Sequence, residues 1–198
     1  MKVLVVGGGG REHALVWKIA QSPLSPQILC APGNPGTAQH ATNVPIEAND
    51  VPGLVKLAQR EAVDLVVIGP EEPLCLGLAD KLRAVNILAF GPGAAGARIE
   101  GSKVFAKELL ERHKIPCATD RRFDRSGTAK SYLETCTTWP QVVKADGLAG
   151  GKGVFVCPDM RSACLAVDAI MENKSLGAAG AKVVVEEFLV GEEASVLA

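Results

Sequence analysis

A chain of 198 residues, 47% hydrophobic and 22% charged, has apolar material for one large domain or two small ones. Its formal net charge of −1 lacks the basic footprint of a nucleic-acid binder and the like-charge block of an acidic tail. Aromatic residues at 4% argue against stacking on single strands, and no apolar run is long enough to span a bilayer, so neither nucleic acid nor membrane is expected as a partner.

The N-terminus, MKVLVVGGGG, is too short an apolar run for a secretory leader and ends in glycines; it predicts a buried strand at Lys2–Val6. A helix follows at Arg11–Gln21, then a short strand at Gln27–Cys30 that enters the turn APGNPG. Val51–Ala62 is predicted helical, Asp64–Ile68 a strand, Leu74–Val85 a helix and Ile87–Phe90 a strand. Apolar strands alternating with helices imply a parallel sheet covered on both faces, an α/β, Rossmann-like unit. GPGAAGA, between Gly91 and Glu100, marks the boundary, giving domains 1–100 and 101–198.

The pattern then changes. Ser102–His113 predicts a helix with Ser102 as N-cap and Phe105, Ala106, Leu109 and Leu110 on its apolar face. A strand is expected near Asp120–Phe123, a helix from Thr128 to about Cys136, and a strand at Gln141–Lys144. A strand at Gly153–Cys157, a helix over Asp159–Glu172 and a strand at Lys182–Phe188 complete the series. Two strands flank DGLAGGKGVFV with no helix between them, so this half is α+β with an antiparallel hairpin. The closing EEASVLA, Glu192–Ala198, is expected to begin a further strand.

Six cysteines form no Cys-x-x-Cys pair, and three histidines give no ligand spacing, so reduced cysteines in a cytoplasmic protein are expected. VVGGGGREHAL places glycines between a strand and a helix, where free amides favour an anion. Gly7 and Gly9 fit the dinucleotide fingerprint, but its third glycine falls on Glu12, which disfavours a pyrophosphate. A tight turn and a small phosphate or sugar-phosphate site stay equally open here. The Walker pattern fails in DGLAGGKGVFV, because Asp146 stands for its first glycine and Gly153 for its Ser/Thr. Four glycines in seven residues, Gly147, Gly150, Gly151 and Gly153, still suit a hairpin lid over phosphates, with Lys152 at its tip and Lys144 just before it. In VVVEEFLVGEEAS, a strand running into exposed backbone could serve an adenine edge, with a carboxylate beyond for ribose hydroxyls; a solvated acidic turn is the plainer reading.

Seven segments in order carry a family likeness: GGGGREHAL, APGNPGTA, VVIGPEEPL, FGP, EGSKVFAKELL, VVKADGLAGGKGVFV and VVVEEFLVGEEAS. Across Met1–Ala198 the chain resembles the glycinamide ribonucleotide synthetase (phosphoribosylamine–glycine ligase) family of the ATP-grasp superfamily. The resemblance implies a Rossmann-like N-terminal domain followed by the first part of an ATP-grasp module. It also implies ATP-dependent joining of glycine to 5-phosphoribosylamine through an acyl phosphate, by a cytoplasmic monomer of purine biosynthesis. Lys103 and Lys144 match the lysines that approach the nucleotide, and Gly147, Gly150, Gly151, Lys152 and Gly153 the lid. Glu186, Glu187, Phe188 and Leu189 match the adenine hinge, and Glu193 the ribose acid. Gly9, Gly10, Arg11, Glu12, His13 and Glu71 match the phosphoribosylamine side. The sequence departs from the family where Gly8 replaces asparagine and where Pro35, Glu72 and Gly150 replace alanine. The Mg2+ or Mn2+ ligands are expected beyond residue 198, so the chain alone is expected to lack turnover. Another ATP-grasp carboxylate–amine ligase and a non-catalytic ATP-binding fragment are the alternatives.

Overall fold

Val3, Leu4, Val5 and Val6 are apolar on both faces of one strand, which calls for cover on both sides. The computed structural model describes residues 1–24 and 26–196 and supplies that cover. The chain divides into two compact units, Met1–Arg98 and Ile99–Ala198.

In the first unit, strands β1 (Lys2–Gly7), β2 (Gln27–Pro32), β3 (Thr42–Asn43), β4 (Leu65–Ile68) and β5 (Leu88–Phe90) form a sheet of order β3-β2-β1-β4-β5. Every pairing is parallel. Parallel neighbours need crossovers, provided by α1 (Gly10–Ala20) after β1, α2 (Val51–Arg60) before β4, and α3 (Glu71–Cys75) with α4 (Leu78–Ala84) before β5. Leu4 and Val6 face one way and pack with Leu54, Leu57, Leu78 and Leu82; Val3 and Val5 face the other and pack with Val16, Ile28 and Cys30. The strand order reverses at β1, so the carboxyl ends of β1 and β4 flank the switch point where open α/β sheets take ligands.

One expectation needs correction here. The single helix predicted over Leu74–Val85 is two helices, because Gly77 adopts a left-handed conformation (φ 80°) that ends one and starts the other. The stretch 91–100, where the domain boundary was expected, is helical from Ala94, as α5 (Ala94–Gly101), with the Ala94 amide donating to Asp80 at 2.7 Å. Alanine's helix preference outweighs the single internal Gly96.

In the second unit, β6 (Asp120–Phe123), β7 (Gln141–Ala145), β8 (Val154–Cys157) and β9 (Val183–Glu187) form an antiparallel sheet of order β6-β9-β7-β8. Helices α7 (Ser126–Thr135) and α8 (Met160–Val167) cover one face: Ala129, Leu133, Ala163 and Val167 pack with Val143, Ala145, Val183 and Val185. The α-helix expected to reach Glu172 instead widens into a π-turn at Asp168–Glu172, where the Asn173 amide reaches back five residues to the Asp168 carbonyl.

Helix α6 (Lys103–Arg112) forms where predicted, but its burial does not follow the expected apolar stripe. Phe105, Ala106, Leu109 and Leu110 are half-buried, whereas Lys107 is the buried residue, 8% exposed. A strand at the C-terminus is not formed over 192–196, which carry no regular structure and are exposed; 197 and 198 lie outside the described residues.

Candidate functional site

Period-two alternation assigns the second sheet's other face. With Val143, Ala145, Val183 and Val185 turned to the helices, Val142, Lys144, Val184 and Glu186 must point away from them. Val142 opposes Val156, and Lys144 opposes Val154. On the other side Lys144 opposes Val184, and Val142 opposes Glu186, so Lys144 and Glu186 are diagonal neighbours. The Lys144 ammonium donates to Glu186 Oε2 at 2.7 Å. Beside this pair, Val154 and Val156 are 48% and 57% exposed. A charged pair next to exposed branched side chains is a surface with an apolar floor and a polar edge, as a flat heterocycle with phosphates requires.

Glu186 is 4% exposed and has a second cation. Its Oε1 lies 3.3 Å from the Lys107 ammonium, which also donates to the Ala118 carbonyl at 2.8 Å. Lys107 did not emerge from the sequence. A lysine at position i+4 from Lys103 was the available signal, since the two share one face of a helix.

Strands β7 and β8 are joined by the glycine hairpin. Its root is pinned twice. The Lys103 amide donates to the Asp146 carbonyl at 3.0 Å, while the Val104 amide and the Ser102 hydroxyl donate to Asp146 Oδ1 at 2.8 and 2.9 Å. Gly147 packs so closely on the other side that an added Cβ would lie 2.8 Å from Ala179 Cα. Gly153 is buried, and Lys103 Nζ donates to the Gly147 carbonyl at 3.3 Å. The tip differs: Gly150, Gly151 and Lys152 are exposed, and nothing lies within 4 Å of a Cβ built on either glycine.

At the end of β9, Glu187 pairs with Thr119 twice, its amide donating to the Thr119 carbonyl at 3.0 Å and its Oε1 accepting from the Thr119 amide at 2.7 Å. That accepted bond holds the Glu187 carboxyl below the usual carboxylate range. Phe188, Leu189 and Glu193 follow, exposed and without regular structure. The structure thus brings together Lys103, Lys144, the hairpin root and Glu186, and leaves Lys152 and Glu193 on open chain.

The first unit has its own candidate site at the switch point. Glu12, 4% exposed, folds its carboxylate into the glycine turn, where Oε2 accepts from the Gly9 amide at 2.7 Å. An added Cβ at Gly7 would meet Glu12 Cγ at 2.5 Å, and one at Gly69 would meet Glu12 Oε1 at 2.2 Å. Those glycines make room for a carboxylate where a pyrophosphate would otherwise approach. Arg11 bridges Glu12 Oε1 at 3.2 Å and Glu71 Oε2 at 3.1 Å. Its guanidinium is raised further, chiefly by the Glu71 bond. Glu71 is lowered, first by a bond from its own backbone amide and then by Arg11, against partial desolvation. Asn34 stitches the APGNPG turn to this loop, donating to the Gly8 and Gly9 carbonyls at 3.0 and 3.1 Å. Gly10 opens α1, and the His13 ring is half-buried and packed on Gly36, where a Cβ would meet its Cε1 at 2.4 Å.

Among the described residues no group of three or more His, Cys, Asp or Glu could hold a metal ion, and no helix is long and apolar enough to cross a membrane. All six cysteines are free thiols.

A parallel α/β unit followed by an antiparallel sheet with a glycine hairpin is the architecture of ATP-grasp proteins. The fold is shared with N5-carboxyaminoimidazole ribonucleotide synthetase from Thermotoga maritima, at 18% identity and a TM-score of 0.67 over 94% of this chain and 46% of that one. The phosphoribosylamine–glycine ligase structure from Thermotoga maritima superposes with a TM-score of 0.78, at 28% identity, over 97% of this chain and 45% of that one. Family models for the phosphoribosylglycinamide synthetase N domain and ATP-grasp (A) domain match residues 1–100 and 101–198. The chain belongs to the phosphoribosylglycinamide synthetase family. It is 51% identical, over its whole length, to the phosphoribosylamine–glycine ligase of Allochromatium vinosum, of which it covers 46%. The chain therefore spans about half the length of the curated relatives it matches.

Proposed function

We propose that the chain contributes a substrate-side domain, 1–100, and an ATP-binding part, 101–198, to a ligase that joins glycine to 5-phosphoribosylamine in purine biosynthesis. In that reaction a glycine carboxylate oxygen bonds to the γ-phosphorus of ATP as the β–γ bridge breaks, releasing ADP. The amine of phosphoribosylamine then bonds to the acyl carbon, phosphate leaves, and the nitrogen loses a proton. Such chemistry rests on positioning and on neutralising phosphate charge. Lys144 and Lys103 supply cations, and the hairpin Gly147–Gly153 supplies backbone amides over the phosphates. Val154 and Val156 give the adenine its apolar floor, Glu186–Leu189 its edge contacts, and Glu193 holds the ribose. Arg11, with Glu12, Glu71 and the Gly9–Gly10 turn, orients phosphoribosylamine. The family's divalent metal, Mg2+ or Mn2+, is given no ligand among these residues. Six free thiols fit a reducing compartment, and we place the protein in the cytoplasm as a monomer.

The carrying observation is the Lys144–Glu186 pair on the face of the sheet turned away from α7 and α8, at the root of the glycine hairpin. Calorimetric titration with ATP tests it. Lys144→Ala and Glu193→Ala are each expected to weaken binding about tenfold, the effect of one lost charge contact. Unchanged affinity in both variants overturns the site. The ligation itself is tested in a protein of the relatives' full length, supplied with ATP, glycine and phosphoribosylamine. Glycinamide ribonucleotide and ADP are expected in equal amounts, and ADP released without that product rejects the substrate assignment.

A further inference from the structure

We propose that Lys107 is a positioning residue for the nucleotide. Through the buried Glu186 carboxylate it fixes the Lys144 ammonium, and so sets how strongly this face holds a polyphosphate. The inference rests on the ATP reading of the same site.

The geometry is a line of three charges. Glu186 gives one carboxylate oxygen to each lysine, Oε1 to Lys107 at 3.3 Å and Oε2 to Lys144 at 2.7 Å. Lys107 is anchored from behind by the Ala118 carbonyl at 2.8 Å. Its side chain is 10% exposed and that of Glu186 5%, while Lys144 at 27% is the member that faces outward. Lysines are rarely buried unless paired, and like charges at i and i+4 of a helix repel. Lys103 and Lys107 are such a pair, so α6 accepts a cost to place two ammonium groups on one face. Glu186 neutralises only one of the two lysines it touches. The triad keeps a surplus of one positive charge, delivered at Lys144 beside the exposed Val154 and Val156.

Lys107 thus does two things for Lys144. It shares the Glu186 charge, so the carboxylate does not fully neutralise Lys144, and it holds the carboxylate from turning about its own side-chain bonds. Without Lys107 the surplus cancels and Lys144 becomes one half of a closed ion pair.

The test is a double-substitution cycle on the full chain, read by calorimetric titration with ATP. Lys107→Met is expected to bind ATP about tenfold more weakly than the unsubstituted chain, because Glu186 is then left to neutralise Lys144 alone. In a Glu186→Gln background the same substitution is expected to change affinity by less than about twofold, because its route to Lys144 is gone. An equal loss in both backgrounds assigns Lys107 a packing role and overturns the proposal, as does undiminished affinity in Lys107→Met. Lys107→Gln, which keeps a donor for Ala118, is carried beside it with melting curves. The tenfold loss is expected there too, in a chain that remains folded, and its absence overturns the proposal. Failure of the underlying site has a different signature: the unsubstituted chain gives no binding heat, or Lys144→Ala binds normally.

Discussion

Asp146 accepts from the Ser102 hydroxyl at 2.9 Å, and this bond ties the root of the glycine hairpin to the start of α6. The same carboxylate oxygen accepts from the Val104 amide, the Asp146 carbonyl accepts from the Lys103 amide, and Ser102 Oγ caps Phe105. Three of the helix's unpaired amides are thereby satisfied, and a negative charge sits at its positive end. The residue that spoils the Walker pattern is therefore a helix cap borrowed from 44 positions away. Asp146→Ala is expected to cost about 1–2 kcal/mol of stability and to weaken ATP binding several-fold as the hairpin root loosens. Asp146→Asn keeps an acceptor and should lose less than half as much. Thermal melting and calorimetry on both variants check this; equal losses in the two would show that the retained acceptor contributes nothing, and no loss in either would show that charge and acceptor are both dispensable.

Root and tip of the hairpin should respond unequally to the same added methyl. At Gly147 the new Cβ would lie 2.8 Å from Ala179 Cα, which is backbone and cannot swing aside. Gly147→Ala is expected to destabilise by about 1–3 kcal/mol. At Gly150 there is open space, and only the left-handed backbone (φ 55°) resists, so Gly150→Ala should cost about 1 kcal/mol, the lower end of that penalty. Urea unfolding of the pair gives the ranking, and a Gly150 variant less stable than the Gly147 variant would contradict it.

The exposed valines of β8 carry a sharper expectation. Val156 is 57% exposed on a folded sheet, so Val156→Asp should change stability by no more than about 0.5 kcal/mol. Placing a carboxylate under the proposed adenine site should still weaken ATP binding by about tenfold or more, since a charge must be desolvated there. Calorimetry beside a melting curve separates the two effects; normal affinity would move the base elsewhere.

How much of this the sequence made legible follows from range. Val3–Val6, Val142–Val143 and Val183–Val185 announce buried strands because apolar runs are local signals, and the hairpin follows from two strands flanking one glycine loop. The parallel-then-antiparallel change was legible for the same reason. The helix break at Gly77 needed a backbone angle that glycine permits but does not dictate. Helix α5 hid behind the glycines and proline of GPGAAGA. The roles of Lys107 and Asp146 were not legible for a different reason: each is defined by a partner far along the chain, Glu186 for one and Ser102 for the other. Periodicity marks a lysine as polar and has no means of seeing the carboxylate that buries it.

The acidic cluster of the first unit gives the last expectation, in two parts. Glu12 is buried and caps Gly9, so Glu12→Ala should leave an unpaired amide and a void beside Gly7 and Gly69, at a cost of about 2–4 kcal/mol. Glu12→Gln keeps an acceptor and should cost less. Glu71 is the pH-sensitive member. Its folded value lies below the ordinary 4.5, so the folded state binds its proton less readily than the unfolded state does. Its contribution is therefore fully present above pH 4.5 and is lost as pH falls through the depressed folded value. The Arg11–Glu71 bridge is 43% exposed at Glu71, so solvent screening holds its worth to under about 1 kcal/mol. Glu71→Gln should accordingly lower the melting temperature slightly at neutral pH, and the gap from the unsubstituted chain should close on acidification below pH 4.5. A gap that widened with acid would reverse the sign of the linkage and place the protonated form of Glu71 as the one the fold prefers.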